Sequence, residues 1–436
     1  MKRLLALCVA VLMLAGLCLG CQPEQQPDTA PEGSTATTTA SSAESGDPTD
    51  PEAPTVPTDP EAPTVPTAPG ETTVPTSGQS TVTTVPPVGS KNNITLVAPA
   101  AGSTLSLGHD VVEEWLADRA PGSSGFFCTG EDRYHLKDCT LTWTCTGKPQ
   151  YFNVRVATKK DFSDAVNFVT NQCELPLEEP YTGVTYYWQV TARYADKQVI
   201  SEVFSFSVAK TPRTVRIDGV SNSRDIGGVL TADGKRIKRG MFYRAALLDN
   251  VTPEGQRQAL ALLGIRSDLD LRNGGEGTAG QGESPLGREV NYIHRTGAHY
   301  DGGSMGIDTV TGKNSFAREF KALADPANYP LIAHCSVGRD RTGTLVFVLQ
   351  ALLGVSLEDA YIEYELSFLS EGGSAGQEYE SPSNGFVGGI DRIHKYLTSN
   401  YPANTLAQSA EKYLLDIGVT QAEIDSIRNI LLEEVK

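Results

Sequence analysis

Two folded domains in series are predicted, an antiparallel β-sandwich followed by an α/β domain whose central sheet is flanked by helices. Three observations carry this. Residues 91–210 of the 436-residue chain alternate in the β manner, with strands rich in β-branched and aromatic residues. Residues 329–354 read as a buried strand, a tight glycine-containing loop and an apolar helix. The roughly 350 residues beyond the low-complexity N-terminal part suffice for two ordinary domains.

Residues 1–20, MKRLLALCVAVLMLAGLCLG, have a basic start, an apolar run and small residues before Cys21. Polar residues follow at once, so the segment reads as an export signal rather than a spanning helix. Gly20-Cys21 resembles a lipoprotein processing site, in which Cys21 becomes a lipidated N-terminus and the membrane anchor. Cys18 stands where Leu is commoner, which keeps ordinary signal cleavage as the alternative. In either case the rest of the chain is expected outside the cytoplasm, and with the lipid anchor at a bacterial cell surface.

Residues 21–90 form a linker of Pro, Thr, Ser, Ala, Glu and Asp, with DPEAPTVPT repeated in tandem from Asp50 and Asp59. Such a stretch has too little apolar area to offset chain ordering. A polyproline-like tether of this length reaches on the order of 200 Å, enough to hold the folded part away from a membrane.

Within 91–210, CTLTWTCT, QYFNVRVAT, VTYYWQVTARY and VISEVFSFSV are expected strands, separated by turn signals at Gly147-Lys148-Pro149 and Asp196-Lys197. Trp143 and Tyr187, with the stretch PYTGVTYYWQVTARY, resemble the core aromatics and penultimate strand of fibronectin type III modules. HDVVEEWLADRA (His109 to Ala120) has a helical pattern and departs from that module. Cys128, Cys139, Cys145 and Cys173 all fall here, and four cysteines in an exported domain allow two disulfides. Zinc is the alternative, against which the spacings offer no pair of CxxC knuckles. Cys335 is left over in the second domain. The boundary between the domains is placed near Lys210 to Arg213.

The net charge of −17 argues against nucleic acid as the main partner, which needs clustered Lys and Arg. The basic run GKRIKRG (Gly234 to Gly240) is either a solvated hairpin turn or a means of drawing anionic substrate. Asn93-Ile94-Thr95 is a glycosylation acceptor only in a host with the matching machinery. GGIDRIHKYL (Gly388 to Leu397) is amphipathic as an ordinary packed helix is.

HCSVGRDRTG (His334 to Gly343) places Cys335 six positions before Arg341, between the strand and the helix. Backbone N–H groups of Ser336, Val337, Gly338 and Arg339 can curl around a tetrahedral oxyanion, with the helix N-terminus adding donors and positive dipole. That field favours a thiolate at Cys335. Arg341 offers a planar fork that Lys cannot match. The bland reading is a packed core thiol and a surface arginine. A rhodanese-like sulfur-transfer loop is a further reading, but the Arg-Thr-Gly ending favours phosphate.

This loop resembles the signature of the protein tyrosine phosphatase superfamily, and in particular the HCxxGKDRTG loop of its bacterial secreted tyrosine and phosphoinositide phosphatases. SNSRDIGG (Ser221 to Gly228), LGIRSDLDLRNGGE (Leu263 to Glu276) and YLLDIGVTQAEIDSIRNILLE resemble that branch's NFRDLGG, DLR strand and closing helices. The resemblance covers nearly all of residues 213–436. Arg339 stands for the usual Lys and Ser223 for the usual Phe. The resemblance implies in-line attack by Cys335, a phosphocysteine intermediate, stabilisation by Arg341 and the loop amides, and a Thr342 hydroxyl bonded to the sulfur. No metal or other cofactor is expected.

A carboxyl must protonate the leaving oxygen and later activate water. Asp340 is the candidate the resemblance suggests, Asp301 in TGAHYDGGSMG the second, and Asp270 the third. An inert phosphatase fold serving adhesion or phosphate sensing is the competing function, which the intact Cys335, Asp340, Arg341 and Thr342 disfavour. Phosphorylated protein and phosphoinositide or inositol phosphate both remain as substrates, Arg339 and the 235–239 cluster leaning towards a polyanion.

Overall fold

The computed structural model describes residues 94–435 apart from 118, 120–122, 128–134, 300–303 and 371–387. The export signal, Cys21, the linker, Asn93, Cys128 and Asp301 therefore lie outside the described residues.

The alternating segments form two facing sheets. One contains Ile94–Ala98, Cys139–Cys145 and Glu174–Leu177; the other is built around Tyr151–Ala157 and Thr185–Arg193. One core lies between them. Trp143 packs edge-on against Phe152 at 5.3 Å and tilts against Trp188 at 6.4 Å. The strand Thr185–Arg193 corrects one expectation. Its inward positions are Tyr186, Trp188, Val190 and Ala192, and Tyr187 is half-buried on the opposite face. Strand side chains alternate faces, so a one-residue error in register moves an aromatic from core to surface.

The expected disulfides are also not found among the described residues. Cys139, Cys145 and Cys173 are free thiols. Cys139 and Cys145 sit at opposite ends of one strand, a separation of about 20 Å at strand rise, far beyond bridging distance. Burial raises the Cys139 thiol pKa to about 11.

Helix α1 (Asp110–Ala117) confirms the helical pattern after His109 and contributes Val112 and Trp115 to a small cluster with Leu366 and Leu369 of the second domain. Both domains belong to one compact unit, residues 86–436. At the junction Arg213 is buried; it donates to Glu179 O (2.7 Å) and Asp225 Oδ2 (2.9 Å) and lies over the Tyr181 ring.

The second domain has a six-stranded sheet of β1 (Arg213–Thr214), β2 (Arg224–Asp225), β3 (Phe242–Ala245), β4 (Ser267–Asp270), β5 (Asn291–His294) and β6 (Leu331–His334). Its spatial order is β1-β2-β3-β6-β4-β5. The four strands β3, β6, β4 and β5 are parallel; β1 and β2 add an antiparallel edge. Helix α2 (Pro253–Arg257) lies between β3 and β4, and α3 (Val310–Leu323) between β5 and β6. Helix α4 (Arg341–Leu352) follows β6, and α5 (Leu357–Glu365) runs on into a turn, Leu366–Phe368. Three further helices close the domain, α6 (Gly388–Asn400), α7 (Leu406–Asp416) and α8 (Gln421–Leu431).

All four residues of β6 and all twelve of α4 are buried. A helix buried around its whole circumference must be enclosed by other elements, and α5, α6 and α7 supply that cover. Cys335 thus leaves the carboxyl end of the sheet's central parallel strand, where open α/β sheets bind ligands.

Candidate active site

The loop between β6 and α4 is held from outside by its carbonyls. Ser336 O accepts from Leu247 N (3.2 Å), Val337 O from Asn222 Nδ2 (3.0 Å), and Gly338 O from the buried guanidinium of Arg244. A planar trans peptide points its N–H opposite to its C=O. Three outward carbonyls therefore turn the N–H groups of Val337, Gly338 and Arg339 inward. Gly338 N confirms this by donating to Cys335 Sγ at 3.2 Å.

Gly338 has φ +73°, and a Cβ there would lie 2.5 Å from Ala245 O. Both its backbone conformation and the close approach of β3 require glycine.

Cys335 is 1% and Arg341 8% exposed. Burial opposes its charge, but Glu276 and the neighbouring Cys335 sulfur raise the pKa of Arg341. Its two terminal nitrogens each reach a Glu276 carboxylate oxygen at 2.9 Å, and Nη2 donates to Ser336 Oγ at 3.0 Å. Ser336 Oγ in turn donates to Glu276 at 2.7 Å. These hydrogen bonds, Arg341 first, hold the Glu276 carboxyl down to about 2. The sequence assigns Glu276, at the end of the DLR segment, no role. The signal was there, an acid in a glycine-rich loop just after a strand end, but its partner lies 65 residues on.

Behind the loop, Arg224 and Arg244 share Glu363. Arg224 Nε lies 2.8 Å from Oε1 and Arg244 Nη1 2.7 Å from Oε2, and both arginines donate to Ser367 Oγ. Burial and the Arg244 charge pull Arg224 down to about 9. Ser223 is buried beside this network, its hydroxyl donating to Ser221 O.

His334 is buried with Nε2 3.0 Å from Asp268 Oδ1 and 3.8 Å from Asp270 Oδ1. Burial opposes its protonation, yet the two carboxylates carry its pKa above the ordinary value.

The candidate acids separate sharply. Asp340 stands at the start of α4 with a partly exposed carboxylate 2.8 Å from Arg339 Nε. Asp270 is not suited to the role. It is 0% exposed and takes hydrogen bonds from Arg272 and Tyr292. Burial pushes its carboxyl up, but Arg272 and His334 outweigh that and hold it at about 2, so it has no proton to give near neutrality.

Thr342 is fully buried, and its hydroxyl makes no hydrogen bond among the described residues, so the expected bond to sulfur is not formed here. Arg339 lies over the Phe368 ring at 5.4 Å.

The 235–239 cluster is spent on the fold. Lys235 and Arg236 pair with Glu434 and Glu433, Lys238 caps α8 through Asn429 O and Ile430 O, and Arg239 donates to Thr182 O. The solvated-turn reading is nearer the structure than the substrate-steering one.

The loop can therefore surround a tetrahedral anion with backbone donors and a guanidinium, a sulfur nucleophile at its floor. Among the described residues no group of three His, Cys, Asp or Glu side chains is arranged to hold a metal.

The chain is similar in sequence to proteins named as tyrosine-protein phosphatases. The chain is 28% identical over 170 residues to a protein of Cupriavidus necator named as a tyrosine-protein phosphatase, which covers 34% of this chain and 60% of that one. It is 24% identical over 224 residues to a tyrosine-protein phosphatase of Nostoc commune, covering 43% and 72%. The chain thus spans less than two thirds of the Cupriavidus relative. Among solved structures, the catalytic core of the PP-IP phosphatase Siw14 of S. cerevisiae aligns with 41% of this chain and 95% of its own at 16% identity and TM-score 0.25. An Fn3-like protein of Clostridium thermocellum aligns with 17% and 79% at 22% identity and TM-score 0.15. The family model described as "Tyrosine phosphatase family" matches residues 215–433, from just after β1 to just beyond α8, and the chain belongs to that family.

Proposed function

We propose that this protein is an exported phosphatase of the cell surface that hydrolyses phosphate monoesters through a phosphocysteine. The observation that carries the reading is the Gly338 N–H aimed at Cys335 Sγ, inside a loop whose three outward carbonyls turn the amides inward. Cys335 sulfur attacks phosphorus as the P–O bond to the leaving group breaks. The loop amides and Arg341 stabilise the equatorial oxygens. Asp340 gives its proton to the departing oxygen. It then takes one from the water that attacks the phosphocysteine, which releases inorganic phosphate and restores the thiolate.

The relatives' names support phosphotyrosine as a substrate. Arg339, a cation in the loop outside the Cys335-to-Arg341 clamp, supports phosphoinositides or inositol phosphates beside it. The leader and Cys21 support attachment to a membrane by lipid, with the 21–90 linker as tether. The fibronectin-like pattern of 91–210 supports placing the sandwich among fibronectin type III-like modules. An inert adhesion protein is disfavoured because Cys335, Asp340 and Arg341 are all present.

The test is hydrolysis of para-nitrophenyl phosphate in EDTA. Cys335→Ser and Arg341→Ala should each lower turnover on the order of a thousandfold or more. Wild-type rates in either variant would overturn the mechanism.

A further inference from the structure

Helix α1 belongs to neither sheet of the sandwich, and its apolar face is turned to the other domain. Trp115 is fully buried, and with Val112 it packs on Leu366 and Leu369, in and just beyond the turn that follows α5. Arg119 stacks over the Trp115 ring at 5.8 Å, pairs with Glu358, and reaches the fully buried Glu365 at 3.2 Å.

The opposite side of the same segment backs the phosphate-binding loop at three points. Glu363 and Ser367 fix Arg244, which donates to Gly338 O. The Phe368 ring lies under Arg339. The Tyr364 ring is set so closely against Gly343 that a Cβ there would come within 2.9 Å of it. One short segment, residues 363–369, is thus gripped on one side by the β module and carries the loop on the other.

We infer that α1 is a positioning element of the active site, with Trp115 and Arg119 holding the 363–369 segment and through it the orientation of Gly338 and Arg339. The inference rests on the phosphatase reading of the Cys335 loop. It makes the β module a working part of the enzyme rather than a spacer or targeting unit. Packed interiors transmit strain because they lack the free volume to absorb it. A loosened Trp115 contact is therefore passed to the loop.

The test uses the full-length chain and para-nitrophenyl phosphate. Misplacing a reacting group by about 1 Å costs up to roughly a hundredfold, so Arg119→Ala and Trp115→Ala should each lower kcat/KM roughly ten- to a hundredfold. Trp115→Phe, which retains an aromatic face, should recover most of the loss. If Trp115→Ala does not fold, Arg119→Ala decides alone, since it removes a charged contact and leaves the apolar cluster in place.

A purely structural role is separated by a double-mutant cycle with Phe368→Leu. If Arg119 acts through the segment, the double variant is no worse than the poorer single variant. Losses that multiply would overturn the inference, as would wild-type kcat/KM in a folded Arg119→Ala. A wild-type chain with no turnover would instead overturn the phosphatase reading.

Discussion

Glu276 grips Arg341 by both terminal nitrogens, each 2.9 Å from a carboxylate oxygen. The fork that would bind phosphate is thereby held in one orientation before any substrate arrives. Such fixation lowers the ordering required at the transition state. Glu276→Gln keeps the shape but removes the charge and one acceptor, and should lower kcat/KM about tenfold. Steady-state kinetics decide this; an unchanged value would mean that the loop alone orients Arg341.

The same pair makes a prediction in acid. The Glu276 carboxyl is depressed from 4.5 to about 2 in the folded chain, so its contribution to stability is complete above pH 4.5. It is lost as pH falls through about 2. In Glu276→Gln the fall of Tm between those limits should be shallower than in the wild type, measured by thermal unfolding at a series of pH values.

Asp340→Asn should cost most where the leaving group is poor. An alkyl phosphate needs protonation of its departing oxygen far more than a nitrophenyl ester does. A loss of about a hundredfold is expected on the former and much less on the latter. Asp270→Asn should act differently, because it breaks a buried charge network with Arg272 and His334. It should destabilise the fold by about 3–5 kcal/mol. An Asp270→Asn enzyme of wild-type stability that loses only alkyl-phosphate turnover would reverse these roles.

Arg339→Ala tests the substrate class. Its guanidinium is paired with Asp340 and laid over Phe368, within the loop yet outside the Arg341 clamp. A charge-assisted contact to a second phosphate is worth about 1.5–3 kcal/mol, so a multiply phosphorylated inositol should lose roughly ten- to a hundredfold more than para-nitrophenyl phosphate. Equal losses across a panel would leave phosphotyrosine as the better substrate.

Glu319 on α3 is fully buried and accepts from Ala298 N, in the stretch leading to Asp301. Burial raises its carboxyl to about 8. A raised carboxyl favours the folded state at low pH, and that advantage is lost as pH rises from 4.5 through about 8. Glu319→Gln, which mimics the neutral acid, should remove the decline and gain on the order of 3 kcal/mol at pH 7. Chemical denaturation at pH 5 and pH 8 measures it.

What the sequence determined by itself was local. Strand alternation marked the sandwich, and strand, loop and helix marked the cradle around Cys335 and Arg341, because each is specified by residues within about ten positions of one another. Even there a register error of one residue exchanged Tyr187 for Trp188. The tertiary structure decided what depends on distant partners. Arg341 meets Glu276 from another strand end, and Gly338 is fixed by Arg244 and Glu363 from two other elements. Asp270 in the DLR motif reads in sequence as either a third candidate acid or a structural residue, and only the fold buries it against Arg272. Trp115 lies in a helical insertion whose partner the sequence does not name, and folding sets it on Leu366, some 250 residues later. Hydrogen bonding and apolar burial are indifferent to sequence separation, so these pairings exist only once the sheet order and the two domains are in place.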